Sequence, residues 1–256
     1  MPKLIISGRG GSGKSTLVTL LAQRLGEEGK VLVVDSDESN LGLNAMFGIE
    51  PPSQSLMDYL GGKPAVSKKL RARMQSNGDE KIALFEENVG LDELPTQCVS
   101  RKGSVSLLRI GKIEHSMEGC ACPMGALARD FLNHLVLKEG EWVLVDTEAG
   151  VEHFGRGVIE GVDSVIMVVD PSYEAVLLAE KAAKLAHEAK KDFGVVLNKV
   201  NEKTESDLKE MLAGKGIEIK GIMPFSEQIA RTNLLGGALQ TNAVKQELDK
   251  IINGLK

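Results

Sequence analysis

The chain has 256 residues, 42% of them hydrophobic and 26% charged, with a formal net charge of −5. These proportions exclude a disordered or fibrous chain, and the acidic balance argues against a dedicated nucleic-acid binder, which carries a basic face. No apolar run reaches the roughly 20 residues that span a bilayer, and the first residues enter a strand pattern instead of a cleavable leader, so a cytoplasmic protein of one domain, 1–256, without membrane or nucleic-acid partners is expected.

Residues 3–7 are expected to form a strand and 14–28 an amphipathic helix. Between them, Gly8-Arg9-Gly10-Gly11-Ser12-Gly13-Lys14-Ser15-Thr16 satisfies Gly-x-x-x-x-Gly-Lys-Ser/Thr. Glycines let backbone N–H groups curl around phosphate oxygens, and the helix N-terminus adds partial positive charge. Lys14 is expected to reach the β- and γ-phosphates, Ser15 to ligate Mg²⁺ and Thr16 to lie near the α-phosphate. A magnesium-dependent nucleotide hydrolase also needs carboxylates at neighbouring strand ends. The next strand, 31–35, supplies Asp35, for the outer shell of the metal, and Asp37, to position the attacking water.

The segment 48–119 is less regular, with Pro51-Pro52, Gly61-Gly62 and a charged run over 68–73 that fits a solvated helix face. Of the three cysteines, Cys98 is isolated, while Cys120 and Cys122 are one residue apart. So tight a loop disfavours a disulfide between them and favours a reduced, metal-binding pair. Thiolates suit Zn²⁺, Ni²⁺ and Cu⁺ alike. Two thiolates per chain make half of a closed site, which a symmetric dimer would complete. His115, five residues before Cys120, is read as a surface histidine, with a further metal ligand as the alternative.

A helix over 125–137 leads to the strand 142–146, whose Asp146 is placed for Mg²⁺, with Gly150 offering an N–H to the γ-phosphate. His153 follows without an assigned mechanism. Strands over 164–170, 193–198 and 217–223 alternate with helices over 174–189 and 205–212, and a helix over 243–255 closes the chain. Most of the strands are apolar nearly throughout, as strands covered on both faces are. The fold class is therefore α/β, a single P-loop NTPase domain with a mostly parallel sheet flanked by helices on both faces. The Asn198-Lys199-Val200-Asn201 element lacks the carboxylate that reads guanine, so adenine is the expected base.

The order of these pieces, with Val-Asp-Ser-Asp at 34–37, Asp-Thr-Glu-Ala-Gly at 146–150, Asn198-Lys199 and Gly-Ile-Met-Pro at 221–224, resembles the MinD/ParA group of deviant Walker A ATPases over essentially the whole chain. The resemblance implies that Asn198, Lys199 and Pro224 join the nucleotide site. It also implies that the position of Arg9, a lysine in that group, reaches the partner's nucleotide across an ATP-bound homodimer. Cys120-Ala121-Cys122 and the run Asp-Thr-Glu-Ala-Gly-Val-Glu-His-Phe-Gly-Arg-Gly at 146–157 look like the CooC/AcsF nickel-insertion ATPases. That likeness implies a nickel or zinc site shared by Cys120 and Cys122 of two subunits. It further implies apo carbon monoxide dehydrogenase or acetyl-CoA synthase as client. A MinD/ParA-like spatial organiser and an iron–sulfur cluster carrier are the alternatives.

Overall fold

The computed structural model describes residues 2–75, 85, 87–112 and 122–255. In chain order the elements are β1 (Lys3–Gly8), α1 (Lys14–Leu25), β2 (Lys30–Asp35), α2 (Leu43–Phe47), α3 (Leu56–Tyr59), α4 (Gly62–Gln75), β3 (Val89–Gly90), β4 (Val99–Lys102) and β5 (Val105–Arg109). They continue with α5 (Cys122–His134), β6 (Leu135–Val136), β7 (Glu141–Asp146), α6 (Glu152–Gly155), β8 (Ser164–Val169), α7 (Tyr173–Glu188), β9 (Asp192–Val200), α8 (Glu202–Ala213), β10 (Ile219–Pro224), α9 (Glu227–Leu234) and α10 (Lys245–Leu255).

Eight strands form one sheet in the order β10-β9-β8-β1-β7-β2-β5-β4, and every pairing is parallel except that of β4 with β5. Successive side chains of a strand serve opposite faces. Ile5, Leu32, Val34, Val143 and Val145 therefore pack into one core beneath α5, α7 and α8. Their neighbours Leu4, Ile6, Val31, Val33 and Leu144 pack into another beneath α1 and α10. This double burial is why the strand segments are continuous apolar runs.

β1 lies between β8 and β7, and the chain leaves it through α1 to reach β2 two places away. In such sheets ligands bind beyond the carboxyl ends of the strands where the winding changes direction. Asp35 and Asp146 are register partners at those ends. The loop after β1 is thus set beside both.

Several boundaries differ from the sequence expectation. The helix expected over 125–137 runs from Cys122 to His134, because Leu135 and Val136 leave it to pair with Val89 and Gly90. The final helix begins with a tight 3₁₀ turn at Asn242–Val244 before α10. Within the segment 48–119, β4 and β5 form a hairpin that extends the sheet edge. The charged run lies on α4, where Lys68, Lys69 and Arg71 are exposed and Val66 is buried. The helix α9 is eight residues long and has no fully buried residue, only Ile229 packing partly against the core, so too few apolar positions repeat to mark it in the sequence.

Candidate functional site at the carboxyl edge of the sheet

The loop between β1 and α1 turns through Gly11 at φ 77° and Gly13 at φ 98°. Gly13 caps α1 without any side-chain acceptor for the first turn, so the N–H groups that have no intrahelical carbonyl face the loop cavity. A Cβ on Gly13 would stand 2.3 Å from Nδ2 of Asn198. That amide donates to the Ser12 carbonyl at 2.7 Å, and the Lys199 ammonium donates to the Gly11 carbonyl at 2.7 Å. Lys199 holds the left-handed conformation, φ 59°, to do so. Asn198 and Lys199 therefore brace the loop from behind as well as lining its cavity.

Lys14 is buried and donates to the Arg9 carbonyl at 3.2 Å. Burial lowers its pKa, against the pull of Asp146 and Asp37. Beside it a cavity of about 480 Å³ runs from Lys14, Ser15 and Thr16 to an apolar wall of Met46, Met223 and Ile229 closed by Pro224. Thr16 and Pro224, both expected at the nucleotide, line this cavity. Met46 and Ile229 had no motif to mark them.

Ser15 Oγ donates to Asp146 Oδ2 at 2.7 Å. The Asn40 amide donates to Ser15 Oγ at 2.9 Å and to Asp146 Oδ2 at 3.1 Å. Asp146 is fully buried, and its Oδ1 has no hydrogen-bond partner among the described residues. Burial pushes its pKa up to about 7, with Asp35 and Asp37 adding to the rise and the Ser15 hydrogen bond opposing it. Asn40 was not singled out in the sequence, since an asparagine in a polar loop reads as a turn residue.

Asp35 is buried at the end of β2 and paired with the Lys112 ammonium at 2.8 Å, with the Arg109 guanidinium at 3.8 Å. Burial still raises its carboxyl pKa. Lys112, whose side chain is withdrawn from water, also donates to the Asp37 carbonyl and so ties the loop after β2 to the segment after β5. Sequence reasoning missed Lys112, because a lysine in an irregular segment reads as solvated. The Asp37 carboxylate accepts from the Ser39 N–H at 2.9 Å and its hydroxyl at 2.7 Å.

The Gly150 N–H donates to the Gly8 carbonyl at 3.0 Å, and Ser7 Oγ donates to the Gly150 carbonyl at 2.9 Å. In this structure that N–H is therefore spent on the loop itself. Arg9 forks onto the Asp170 carboxylate at 2.8 and 2.6 Å, with Glu174 at 4.0 Å. Gly10 and Gly11 complete the loop.

His153, on α6, is buried edge-on against Phe154 at 4.4 Å, and neither ring nitrogen has a partner among the described residues. Burial, with Lys14 and Arg156 adding to it, pushes its pKa down to about 3. Cys98 is a buried free thiol, raised to about 11 by burial. His115 and Cys120 lie outside the described residues, as does the side chain of Cys122, whose backbone opens α5. Among the described residues no helix is long and apolar enough to cross a membrane.

An uncapped helix start behind a glycine loop fits a polyphosphate. A buried carboxylate with an unpartnered oxygen beside a serine hydroxyl fits its magnesium ion. A parallel sheet that carries this cradle after its central strand, with Asp35, Asp37 and Asp146 at the adjoining strand ends, defines a P-loop ATPase. Residues 3–236 match the CobQ/CobB/MinD/ParA nucleotide binding domain, and the chain belongs to that family.

It is 40% identical over 251 residues to an ATP-binding protein of Methanocaldococcus jannaschii, covering 98% of each chain. It is 35% identical over 188 residues to the carbon monoxide dehydrogenase accessory protein CooC of Rhodospirillum rubrum, covering 73% of this chain and 69% of that protein. The fold superposes on the cell division ATPase MinD of Pyrococcus furiosus with a TM-score of 0.70 at 19% identity, covering 100% of both chains.

Proposed function

We propose that the chain is an ATP-dependent dimeric metallochaperone that inserts nickel during maturation of carbon monoxide dehydrogenase or acetyl-CoA synthase. The observation that carries this is the 35% identity to a carbon monoxide dehydrogenase accessory protein, in a chain that also has Cys120-Ala121-Cys122. Nickel is the cargo, held between the Cys120 and Cys122 thiolates of two subunits. Four thiolates complete a site that two leave open.

For the ATPase step, the loop N–H groups and Lys14 hold the phosphates, and Ser15 with Asp146 holds Mg²⁺. The ion offsets the charge that develops on the transferred phosphoryl group. Asn40 must then release Asp146 Oδ2, and Gly150 must release the Gly8 carbonyl before its N–H serves a phosphate. Asp37, with its carboxylate fixed by Ser39, orients the attacking water. Arg9 exchanges Asp170 for the partner's nucleotide, which makes dimer closure and nucleotide binding one equilibrium. Metal affinity and ATP affinity are then linked reciprocally.

Equilibrium binding of Ni²⁺ and Zn²⁺ with and without a non-hydrolysable ATP analogue, combined with mass measurement of the assembly, tests this. Tighter metal binding to an analogue-bound dimer is expected. Metal binding unchanged in the Cys120→Ser, Cys122→Ser double variant would sink it.

A further inference from the structure

Arg156 follows α6 and caps it. Its Nη1 donates to Glu148 and lies 3.7 Å from Glu38. Glu38 is the residue after Asp37, and Glu148 lies between Asp146 and Gly150. One guanidinium thus joins the two loops that carry the carboxylates of the nucleotide site. Both glutamates are largely withdrawn from water, with side chains 12% and 23% exposed. Burial raises both of their pKa values, while Arg156 is the largest influence in the other direction and Asp37 adds to the rise.

The stem of the same arginine rests on the first turn of α5. A Cβ added to Gly125 would meet Arg156 Cβ at 2.8 Å, Cδ at 3.0 Å and Cγ at 3.4 Å. Real Cβ atoms do not approach so closely, and only glycine permits this seat. Gly125 is three residues beyond Cys122 on α5.

We infer that Arg156 is a positioning residue for ATP hydrolysis: it fixes the 37–38 loop against the 146–150 loop through Glu38 and Glu148, and its stem on Gly125 carries their relative position to the start of α5. Nucleotide that draws Asp37 and Gly150 toward the phosphates moves Glu38 and Glu148 with them, and the guanidinium moves as the two carboxylates do. Only the use of that motion at Cys122 rests on the function proposed above. The hydrolytic role stands without it.

Arg156→Gln removes the charge and leaves two half-buried carboxylates facing each other. Arg156→Lys keeps the charge as a compact ammonium on a more flexible stem and loses the planar, preorganised guanidinium. Gly125→Ala keeps every charge and displaces the stem. Three measurements apply to the full chain: steady-state ATP hydrolysis, affinity for a fluorescent ATP analogue, and hydrogen exchange of peptides within 123–134 with and without Mg²⁺ and a non-hydrolysable analogue.

Arg156→Gln is expected to lower kcat about ten-fold or more while analogue affinity stays within about three-fold, the pattern of transition-state stabilisation lost with ground-state binding kept. Lysine should restore part of kcat. In wild type the analogue changes exchange at the start of α5, and Arg156→Gln and Gly125→Ala should abolish that change.

Wild-type kcat in Arg156→Gln, or a full α5 response in Gly125→Ala, would overturn the assignment. So would loss of kcat and analogue affinity in equal measure, which marks a merely structural residue. The Cys120→Ser, Cys122→Ser variant separates the two levels. Its α5 response should persist, and unchanged metal binding there removes the nickel function while leaving Arg156 in place.

Discussion

Asp146 carries a cost that a magnesium ion held there would remove, and Asp146→Asn exposes it. The carboxylate is fully buried with one oxygen unpartnered among the described residues. Because the folded pKa lies above the unfolded value, the native chain keeps a proton that the unfolded chain has already lost. Stability therefore falls as pH rises from the ordinary carboxylate value of 3.8 to about 7, and the whole penalty is present above that window. A rise from 3.8 to about 7, at about 1.36 kcal/mol per unit, corresponds to ~4 kcal/mol.

The asparagine keeps the shape and an acceptor for Ser15 without the charge. In metal-free buffer it is expected to raise the urea midpoint strongly near about pH 8 and hardly at all near about pH 4. With Mg²⁺ and an ATP analogue the ranking reverses, since only wild type gains the binding free energy of the metal. Parallel midpoint-against-pH curves for the two proteins, or a less stable variant at high pH in chelator, would refute the reasoning.

His153 has the opposite sign. Its pKa is pushed down from 6.5 to about 3, so its contribution is lost as pH falls through that range, and His153→Leu should flatten the acid limb of the same urea series. Lys14→Ala should cut phosphate release by roughly 100-fold or more through loss of a preorganised charge. Gly13→Ala must hold a left-handed residue against Asn198; a loss of roughly 1–3 kcal/mol in stability is expected, with nucleotide-analogue binding abolished in titration. If Arg9 works across a dimer, mixing Arg9→Ala with Lys14→Ala restores up to about a quarter of wild-type hydrolysis, because half the dimers then hold one complete site. No recovery on mixing places Arg9 in its own subunit's site.

Much of this was legible because it is local. The phosphate loop is nine consecutive residues between a strand and a helix. The carboxylates Asp35 and Asp146 each end a continuous apolar run, and double burial of the sheet leaves that run with no other pattern. The hairpin β4–β5 was not legible, since its exposed edge strand carries Ser100, Arg101 and Lys102, and an edge strand needs no apolar alternation. The helix α9 escaped because it is short and only Ile229 packs partly against the core.

The residues that complete the site are of another kind. Asn40 reaches Asp146 across 106 positions and Lys112 reaches Asp35 across 77. Arg9 meets Asp170 across 161. Nothing beside an asparagine or a lysine in a loop announces a partner so far along the chain. The sequence by itself determined which backbone forms the glycine loop before α1 and which strand ends bear carboxylates, because periodicity and glycine spacing are properties of neighbouring residues. Only the tertiary structure decided that Asn40 meets Asp146, Lys112 meets Asp35, and Arg156 meets Glu38 and Glu148, because strand order in the sheet, not position in the chain, sets what meets at its carboxyl edge.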